Sequence, residues 1–87
     1  KGAIGHSMGA AAAIEAVVAV RALQAQCVPG TTGLALPDPA IPLQLLPPGQ
    51  HALRLRHVIS TASGFGGLNA AVILSATDSL PEVEATR

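Results

Sequence analysis

The sequence is poor in aromatic side chains and in charge. It contains one Phe and no Tyr or Trp, and its five basic and five acidic residues give a formal net charge of zero. Nucleic-acid binding needs clustered Lys and Arg for the phosphates and aromatic rings for base stacking, so the composition excludes nucleic acid as a partner. Intrinsic disorder is also excluded, because 49 % of the residues are hydrophobic and disordered chains are poor in such residues.

Cysteine is nearly absent as well. Cys27 is the only one, so the chain forms no internal disulfide, which suits a reducing, cytoplasmic compartment. A buried, inert thiol is favoured at Cys27 over a nucleophile. The three histidines, His6, His51 and His57, have no Cys or carboxylate at ligand spacing. We therefore expect no metal site.

Long uninterrupted hydrophobic runs are missing too. Charges at Glu15 and Arg21 interrupt the N-terminal third, whereas a membrane span needs about 20 mostly apolar residues. We expect no transmembrane helix, and residues 1–7 do not form the apolar core of a signal peptide. The 87 residues suffice for at most one domain. Because the sequence also does not begin with Met, we expect it to be a piece of a longer chain.

An alanine-rich helix is predicted from about Met8 to Gln26, with Ser7 as its N-cap. Apolar side chains project from nearly opposite sides of this helix, which is typical of a helix buried between two layers. Covering both sides needs more protein than the remaining residues provide.

Residues 28–50 contain six of the seven prolines, which exclude a helix or a central strand. A disordered linker is the alternative to an ordered loop. Six Leu and Ile residues in this segment favour an ordered loop that packs against a larger body.

Two strands are predicted after this loop. One begins near Ala52, exposed at its start and buried at its end near Ala62, and the other covers about Asn69–Ser75 with almost no polar content. The short glycine-rich connection makes them antiparallel neighbours. Residues 1–76 form the structured region, and residues 77–87 form a polar tail.

Lys1 and His6 form the first candidate constellation. A neutral imidazole just before a helix N-terminus, where the helix dipole disfavours a second positive charge, can donate an N–H to a developing oxyanion. The alternative is a helix-boundary histidine and a solvated lysine, and the spacing alone favours that alternative.

The second candidate is the loop Gly64-Phe65-Gly66-Gly67. Its glycines permit positive φ angles and close backbone approach, so backbone N–H groups can form a nest for an anion or an oxyanion. The alternative is an ordinary hairpin turn with Phe65 folded onto the core.

The two candidates occur together in a known family. The string Lys1-Gly-Ala-Ile-Gly-His6-Ser-Met-Gly9-Ala-Ala-Ala-Ala-Ile-Glu15-Ala, followed later by Gly64-Phe65-Gly66-Gly67-x-Asn69, resembles the C-terminal part of the β-ketoacyl-acyl carrier protein synthases, in their elongating branch. The resemblance covers about residues 1–75. It implies an α/β chain from the C-terminal portion of the layered αβαβα thiolase fold: one long buried helix followed by an antiparallel strand pair.

The resemblance also implies an activity. Members catalyse a decarboxylative Claisen condensation of an acyl-enzyme with malonyl-acyl carrier protein, with no metal or organic cofactor, because the acyl groups arrive on phosphopantetheine. By resemblance, His6 donates to the malonyl thioester carbonyl and Lys1 organises the histidines. Phe65 is the gating residue and its N–H an oxyanion-hole donor, with Gly64 and Gly66 beside it at the substrate. Expected partners are acyl carrier protein, the rest of the enzyme, and a second subunit in a homodimer or heterodimer.

The chain departs from the family pattern in informative places. The family's nucleophilic cysteine precedes the motif lysine, so this chain lacks it, Cys27 does not match it, and the chain alone should be inactive. Thr61-Ala62-Ser63 stands where the family often has Asn-Ser-Phe, which leaves room near the gate.

Two other functions remain open: a non-catalytic partner subunit of the chain-length-factor kind, and a small independent interaction module. Retention of Lys1 and His6 favours the enzyme over the partner subunit. A cooperative thermal transition of the isolated chain would favour the module.

Overall fold

A computed structural model describes residues 1–77 and contains, within them, one α-helix and two small antiparallel sheets. The polar tail predicted for residues 77–87 lies, apart from Thr77, outside the described residues. The chain is therefore α/β, as predicted, but the layers of a complete thiolase-like fold lie beyond what these residues show. A 3₁₀ turn is followed by helix α1 and four strands: Met8–Ala10, α1 Ala11–Ala25, β1 Cys27–Pro29, β2 Gln50–Ala52, β3 His57–Ser63 and β4 Asn69–Ser75.

The α-helix begins three residues later than predicted. Met8 has φ +53°, in the left-handed region that a right-handed helix cannot include. Ser7 is the N-cap residue of the 3₁₀ turn, but its side chain makes no capping hydrogen bond, and the N-cap of α1 is Ala10. Helix α1 instead starts after Ala10 and ends at Gln26, which adopts a left-handed conformation (φ 52°, ψ 48°).

Gln26 connects the end of α1 to the segment before β3. Its Nε2 donates to the carbonyl oxygens of Leu23 (2.7 Å) and Leu55 (3.0 Å), and its Oε1 accepts from the Leu55 N–H (2.7 Å). The Leu53 N–H donates to the Gln26 carbonyl (3.3 Å). These bonds occupy backbone groups of residues 53–55 that pairing in a strand would need. The strand predicted to begin near Ala52 therefore begins at His57, and that part of the prediction was wrong.

The β3–β4 hairpin is confirmed. The two strands pair antiparallel from His57↔Ser75 to Ser63↔Asn69, and the predicted bounds of β4 match the observed ones. Burial in β3 alternates with every second residue rather than increasing toward its end. The predicted covering of both faces of β4 is not met within residues 1–77, where Ile73 is 67 % exposed.

The ends of the proline-rich segment pair in a way that the sequence did not indicate. Strand β1 pairs with β2 in the register Cys27↔Ala52 to Pro29↔Gln50, and the Gly30 N–H donates to the Gly49 carbonyl at 2.6 Å. Pro29 is tolerated because it ends a two-stranded sheet, where its missing N–H leaves no ladder partner unsatisfied.

Gly30→Ala is expected to destabilise the protein by about 3 kcal/mol, the upper part of the usual range for an overpacked site. A Cβ at Gly30 would lie 1.6 Å from the Pro47 carbonyl oxygen and 3.1 Å from His51 Nε2. Gly9→Ala is the matched control, because a Cβ there meets no atom within 4 Å. Urea unfolding of the two full-length variants tests this, and equal midpoints would contradict it.

The core of the described chain is very small. Ala19 and Ala22 are the buried hydrophobic residues, whereas Val17, Val18 and Val20 on the same helix are at least 40 % exposed. The prediction of a fully buried helix is therefore not met within residues 1–77. The stretch Met8–Ala25 is long and apolar enough to cross a membrane by length and mean hydropathy alone. Its charged residues, Glu15 and Arg21, were the reason for expecting no membrane span. The core helix of a soluble protein has the same properties.

Because so little is buried, the isolated 87-residue chain is expected to lack a cooperative thermal transition. Far-ultraviolet circular dichroism should show a gradual loss of signal on heating, without a sigmoidal transition. A sharp transition in a monomer would contradict this prediction and favour the independent module.

Candidate functional site

The start of the chain, the first turns of α1 and the β3–β4 loop region surround one open cleft of about 880 Å³. Three of the five predicted site residues, Lys1, His6 and Gly64, line it. Lys1 and His6 belong to the N-terminal motif and Gly64 to the loop after β3, and the close packing of α1 against β3 brings these two parts of the sequence together. The full lining is Lys1, His6, Met8, Gly9, Ala11, Ala12, Glu15, Thr61, Ala62, Ser63, Gly64, Leu68, Asn69 and Ala70.

Lys1 forms an ion pair with Glu15, another residue that lines the cleft. Its Nζ donates to Glu15 Oε1, which lies 14 residues along the chain on the first turns of α1. This hydrogen bond and the positive charge of Lys1 lower the pKa of the Glu15 carboxyl below its ordinary value. The pair therefore fixes the ammonium end of the Lys1 side chain, and both Lys1 and Glu15 line the cleft.

The Lys1–Glu15 pair predicts a stability change in acid. Since the pKa of Glu15 is lower in the folded chain, the pair stabilises the fold above the unfolded pKa, and this contribution is lost as pH falls through the folded pKa. Glu15→Gln should therefore lower Tm near neutral pH and have a decreasing effect below about pH 4. A Tm difference between the wild-type and variant full-length proteins that does not change with pH would contradict this.

His6 lies in the cleft but not at the N-terminus of an α-helix. It is exposed and precedes the 3₁₀ turn Met8–Ala10, so the first residue of α1, Ala11, is five positions away. Helix-dipole effects fall off within the first turn. The argument from the helix dipole was therefore wrong for His6, and its position in the cleft is what supports a chemical role.

The glycine loop is a tight connection with an exposed ring at its tip. The Gly64 N–H donates to the Leu68 carbonyl at 2.6 Å, so this N–H closes the loop and does not point into a cavity. Gly66 (φ +82°) and Gly67 (φ +83°) take the left-handed conformations that favour glycine.

Phe65 is fully exposed and, with Gly66, is not among the residues that line the cleft. The alternative of Phe65 folded onto the core is therefore wrong for this chain. Among the hydrogen bonds of residues 1–77, none uses the Phe65 N–H, so this group remains available to an acceptor.

Glu15, Thr61, Ser63 and Asn69 are cleft residues that sequence reasoning did not select. Asn69 Nδ2 donates to the Gly67 carbonyl at 3.3 Å, which connects the start of β4 to the glycine loop. Glu15 lies in the same sequence motif as Lys1. This shared motif was the signal from which Glu15 could have been identified. The family resemblance placed Thr61 and Ser63 near the gate, and the pairing of the hairpin puts both at the cleft.

The remaining candidate groups lie elsewhere. Cys27 is half-buried at the start of β1. His51 Nε2 lies 2.8 Å from the Pro47 carbonyl oxygen, and His57 Nδ1 lies 2.7 Å from Ser75 Oγ. Within residues 1–77, no group of three His, Cys, Asp or Glu side chains could hold a metal ion.

The N-terminal part of the cleft lies in a segment that matches a known protein family. Residues 1–35 match the family model of the β-ketoacyl synthase C-terminal domain, the part that supplies Lys1, His6 and Glu15. No solved structure gives a significant match.

Curated relatives extend the similarity through the hairpin. The chain is 47 % identical over 75 residues to a protein of Streptomyces cyaneus named as a polyketide beta-ketoacyl synthase 1. It is 39 % identical over 72 residues to 3-oxoacyl-[acyl-carrier-protein] synthase 2 of Mycobacterium bovis. These alignments cover 86 % and 83 % of this chain but 18 % and 17 % of the relatives, so the chain spans less than a fifth of their length.

Proposed function

Because the chain belongs to the β-ketoacyl synthase family, we propose that its cleft is part of the active site of a condensing enzyme. The reaction is a decarboxylative Claisen condensation: malonyl-acyl carrier protein loses CO2, and the resulting carbanion attacks an acyl thioester on the enzyme, which forms 3-oxoacyl-acyl carrier protein and releases the enzyme thiolate. The observation that carries the proposal is the convergence of Lys1, His6 and Gly64 on one cleft.

His6 and Lys1 are the catalytic groups of this cleft. The imidazole N–H of His6 stabilises the negative charge that develops on the malonyl thioester carbonyl as CO2 leaves, which is the electrostatic role of an oxyanion-hole donor. Lys1 adds positive charge beside it. Glu15 positions Lys1 through the observed hydrogen bond, so that the ammonium group is held in place before substrate arrives.

The glycine loop serves the acyl group. The free N–H of Phe65 is one donor to the acyl oxyanion, and Gly64 and Gly66 allow the backbone to approach the substrate. The exposed ring of Phe65 gates the cleft when the loop moves toward it.

The nucleophile must come from outside these 87 residues. Cys27 lies in β1 and does not line the cleft, so we propose that residues 1–87 alone are inactive. In the complete enzyme, the other layers of a thiolase-like fold cover the apolar sides of α1 and β4, and no metal or organic cofactor takes part. The substrates arrive on acyl carrier protein, and the enzyme is a cytoplasmic homodimer or heterodimer.

The proposal is tested with the purified full-length protein that carries this segment. Acyl-loaded carrier protein and ¹⁴C-malonyl carrier protein should give labelled CO2 and a 3-oxoacyl product in equal amounts. Lys1→Ala should lower both, and Glu15→Gln should lower them less, because it leaves the ammonium group in place but unpositioned. A protein that forms a complex with a ketosynthase and releases no CO2 would instead be a partner subunit.

A further inference from the structure

Gln26 joins the two parts of the chain that form the candidate cleft. Lys1 is bonded to Glu15 on α1, so one wall of the cleft moves with the helix. Ser63 and Gly64 lie at the end of β3 and belong to the other wall. The position of β3 relative to α1 therefore sets how the two walls face each other.

The packing of α1 against β3 is made of small side chains. The buried residues of α1 are Ala19 and Ala22, and the half-buried residues of β3 are Val58, Ser60 and Ala62. Side chains this short interdigitate little, and close interdigitation is what selects a single packing arrangement. The contact therefore resists a shift of the hairpin along the helix only weakly.

The hydrogen bonds of Gln26 supply the directional constraint that this packing lacks. Its side-chain amide accepts from the Leu55 N–H at 2.7 Å and donates to the Leu55 carbonyl at 3.0 Å, so one side chain bonds both backbone groups of a residue 29 positions away. The same Nε2 donates to the Leu23 carbonyl at 2.7 Å, which ties the amide to the last turn of α1. Hydrogen bonds weaken steeply away from their preferred geometry, so these bonds allow little movement of Leu55 along the helix.

The position of Gln26 lets it act at a distance. The helix runs from the cleft to Gln26, and β3 runs back from the Leu55 end to Gly64, so the two elements are joined at one end and face the cleft at the other. The 15 residues of α1 span about 22 Å, so a rotation of about 3° at Gln26 moves the far end by about 1 Å. A misplacement of about 1 Å can slow a reaction about 100-fold.

We propose that Gln26 is a positioning residue for the acyl half of the reaction. It fixes the hairpin against α1 so that the Phe65 N–H reaches the acyl carbonyl oxygen in the cleft. Gln26 does not line the cleft and acts through β3. The inference rests on the proposed function and extends it to a side chain outside the site. Malonyl decarboxylation depends on Gln26 less, because Lys1 and His6 belong to the N-terminal segment.

The test compares Gln26→Ala, Gln26→Gly and Gln24→Ala in the full-length protein. Position 26 has a left-handed conformation, which glycine adopts most easily, so the Gly variant removes the hydrogen bonds while offsetting part of the lost stability. Gln24 is the matched control, because it is exposed and accepts a hydrogen bond from Arg21 Nη1 within the same helix at 3.3 Å.

Both Gln26 variants should lower the rate of acyl loading about 10-fold and that of decarboxylation less than about 2-fold. The Gly variant should have the higher Tm of the two, and the Gln24 variant should keep both rates. Unchanged loading in both Gln26 variants would overturn the proposal. Equal losses of the two half-reactions would also overturn it, because Gln26 would then be a purely structural residue.

Crystal structures of the full-length wild type and Gln26→Gly proteins measure the same effect without the reaction. After superposition on α1, the loop 64–67 should be displaced relative to Lys1 by about 1 Å or more. If the wild type catalyses neither half-reaction, the proposed function fails, and the displacement alone decides the positioning role. A displaced loop supports that role, and an undisplaced loop overturns it.

Discussion

Replacing His6 with Ala in the full-length protein is expected to slow malonyl decarboxylation by about 100- to 1,000-fold, the usual effect of removing one oxyanion donor. His6 lines the same cleft as Lys1, whereas in the proposed reaction the transfer of the acyl group to the enzyme uses an external nucleophile and the Phe65 loop. Acyl loading should therefore change much less than decarboxylation. The two half-reactions can be measured separately, as CO2 release and as covalent acyl-enzyme.

His57→Ala is the matched control for this experiment. His57 is also exposed, but it contacts Ser75 at the far end of the hairpin and does not line the cleft. Its replacement should leave both half-reactions near the wild-type rate. Equal losses of loading and decarboxylation in the His6 variant would assign His6 a structural role instead.

The second large effect is expected in the choice of acyl chain. The Phe65 ring is fully exposed and lies between Gly64 and Gly66, and the wide range of φ and ψ angles open to glycine permits this loop to change conformation. A bulky ring on such a loop can block the cleft until the acyl chain displaces it. Phe65→Ala should therefore reduce the discrimination between short and long acyl carriers about 10-fold, while its backbone N–H remains available to the oxyanion.

Ser63→Phe should change selectivity in the opposite direction. Ser63 lines the cleft two residues before Phe65, at a position where the family often has an aromatic residue. A second ring should narrow the range of acyl chains that the enzyme accepts. The measurement for both variants is the ratio of kcat/KM for the two carriers in competition. If this ratio is unchanged in both, Phe65 is a packing residue and does not act as a gate.

The sequence predicted the elements whose signals are local. Apolar content and the glycine-rich connection predicted the hairpin, and the bounds of β4, Asn69–Ser75, match the structure. The glycine and proline near residue 30 predicted where the helix ends. Two distinctive motifs in the correct order predicted the family and nominated Lys1, His6 and Gly64, which the structure brings to one cleft.

The first residue of α1 and the first residue of β3 depend on contacts that the sequence does not show. Met8 adopts a positive φ, which no propensity scale predicts for a methionine, and this delays α1 to Ala11. Gln26 bonds Leu55, 29 residues away, and this removes the backbone of that segment from the hairpin. Neither effect follows from hydrophobic periodicity, which reports which face of an element is apolar.

The sequence by itself determined the residue types of the site and the order of helix α1 and the β3–β4 hairpin, because helix period, turn glycines and motif spacing are properties of neighbouring residues. The tertiary structure alone decided that Glu15 holds Lys1 and that these two residues share one cleft with Gly64 and Asn69. These are contacts between groups distant along the chain or around a bend. They form only when the helix packs against the hairpin, since packing, rather than local propensity, sets which side chains meet.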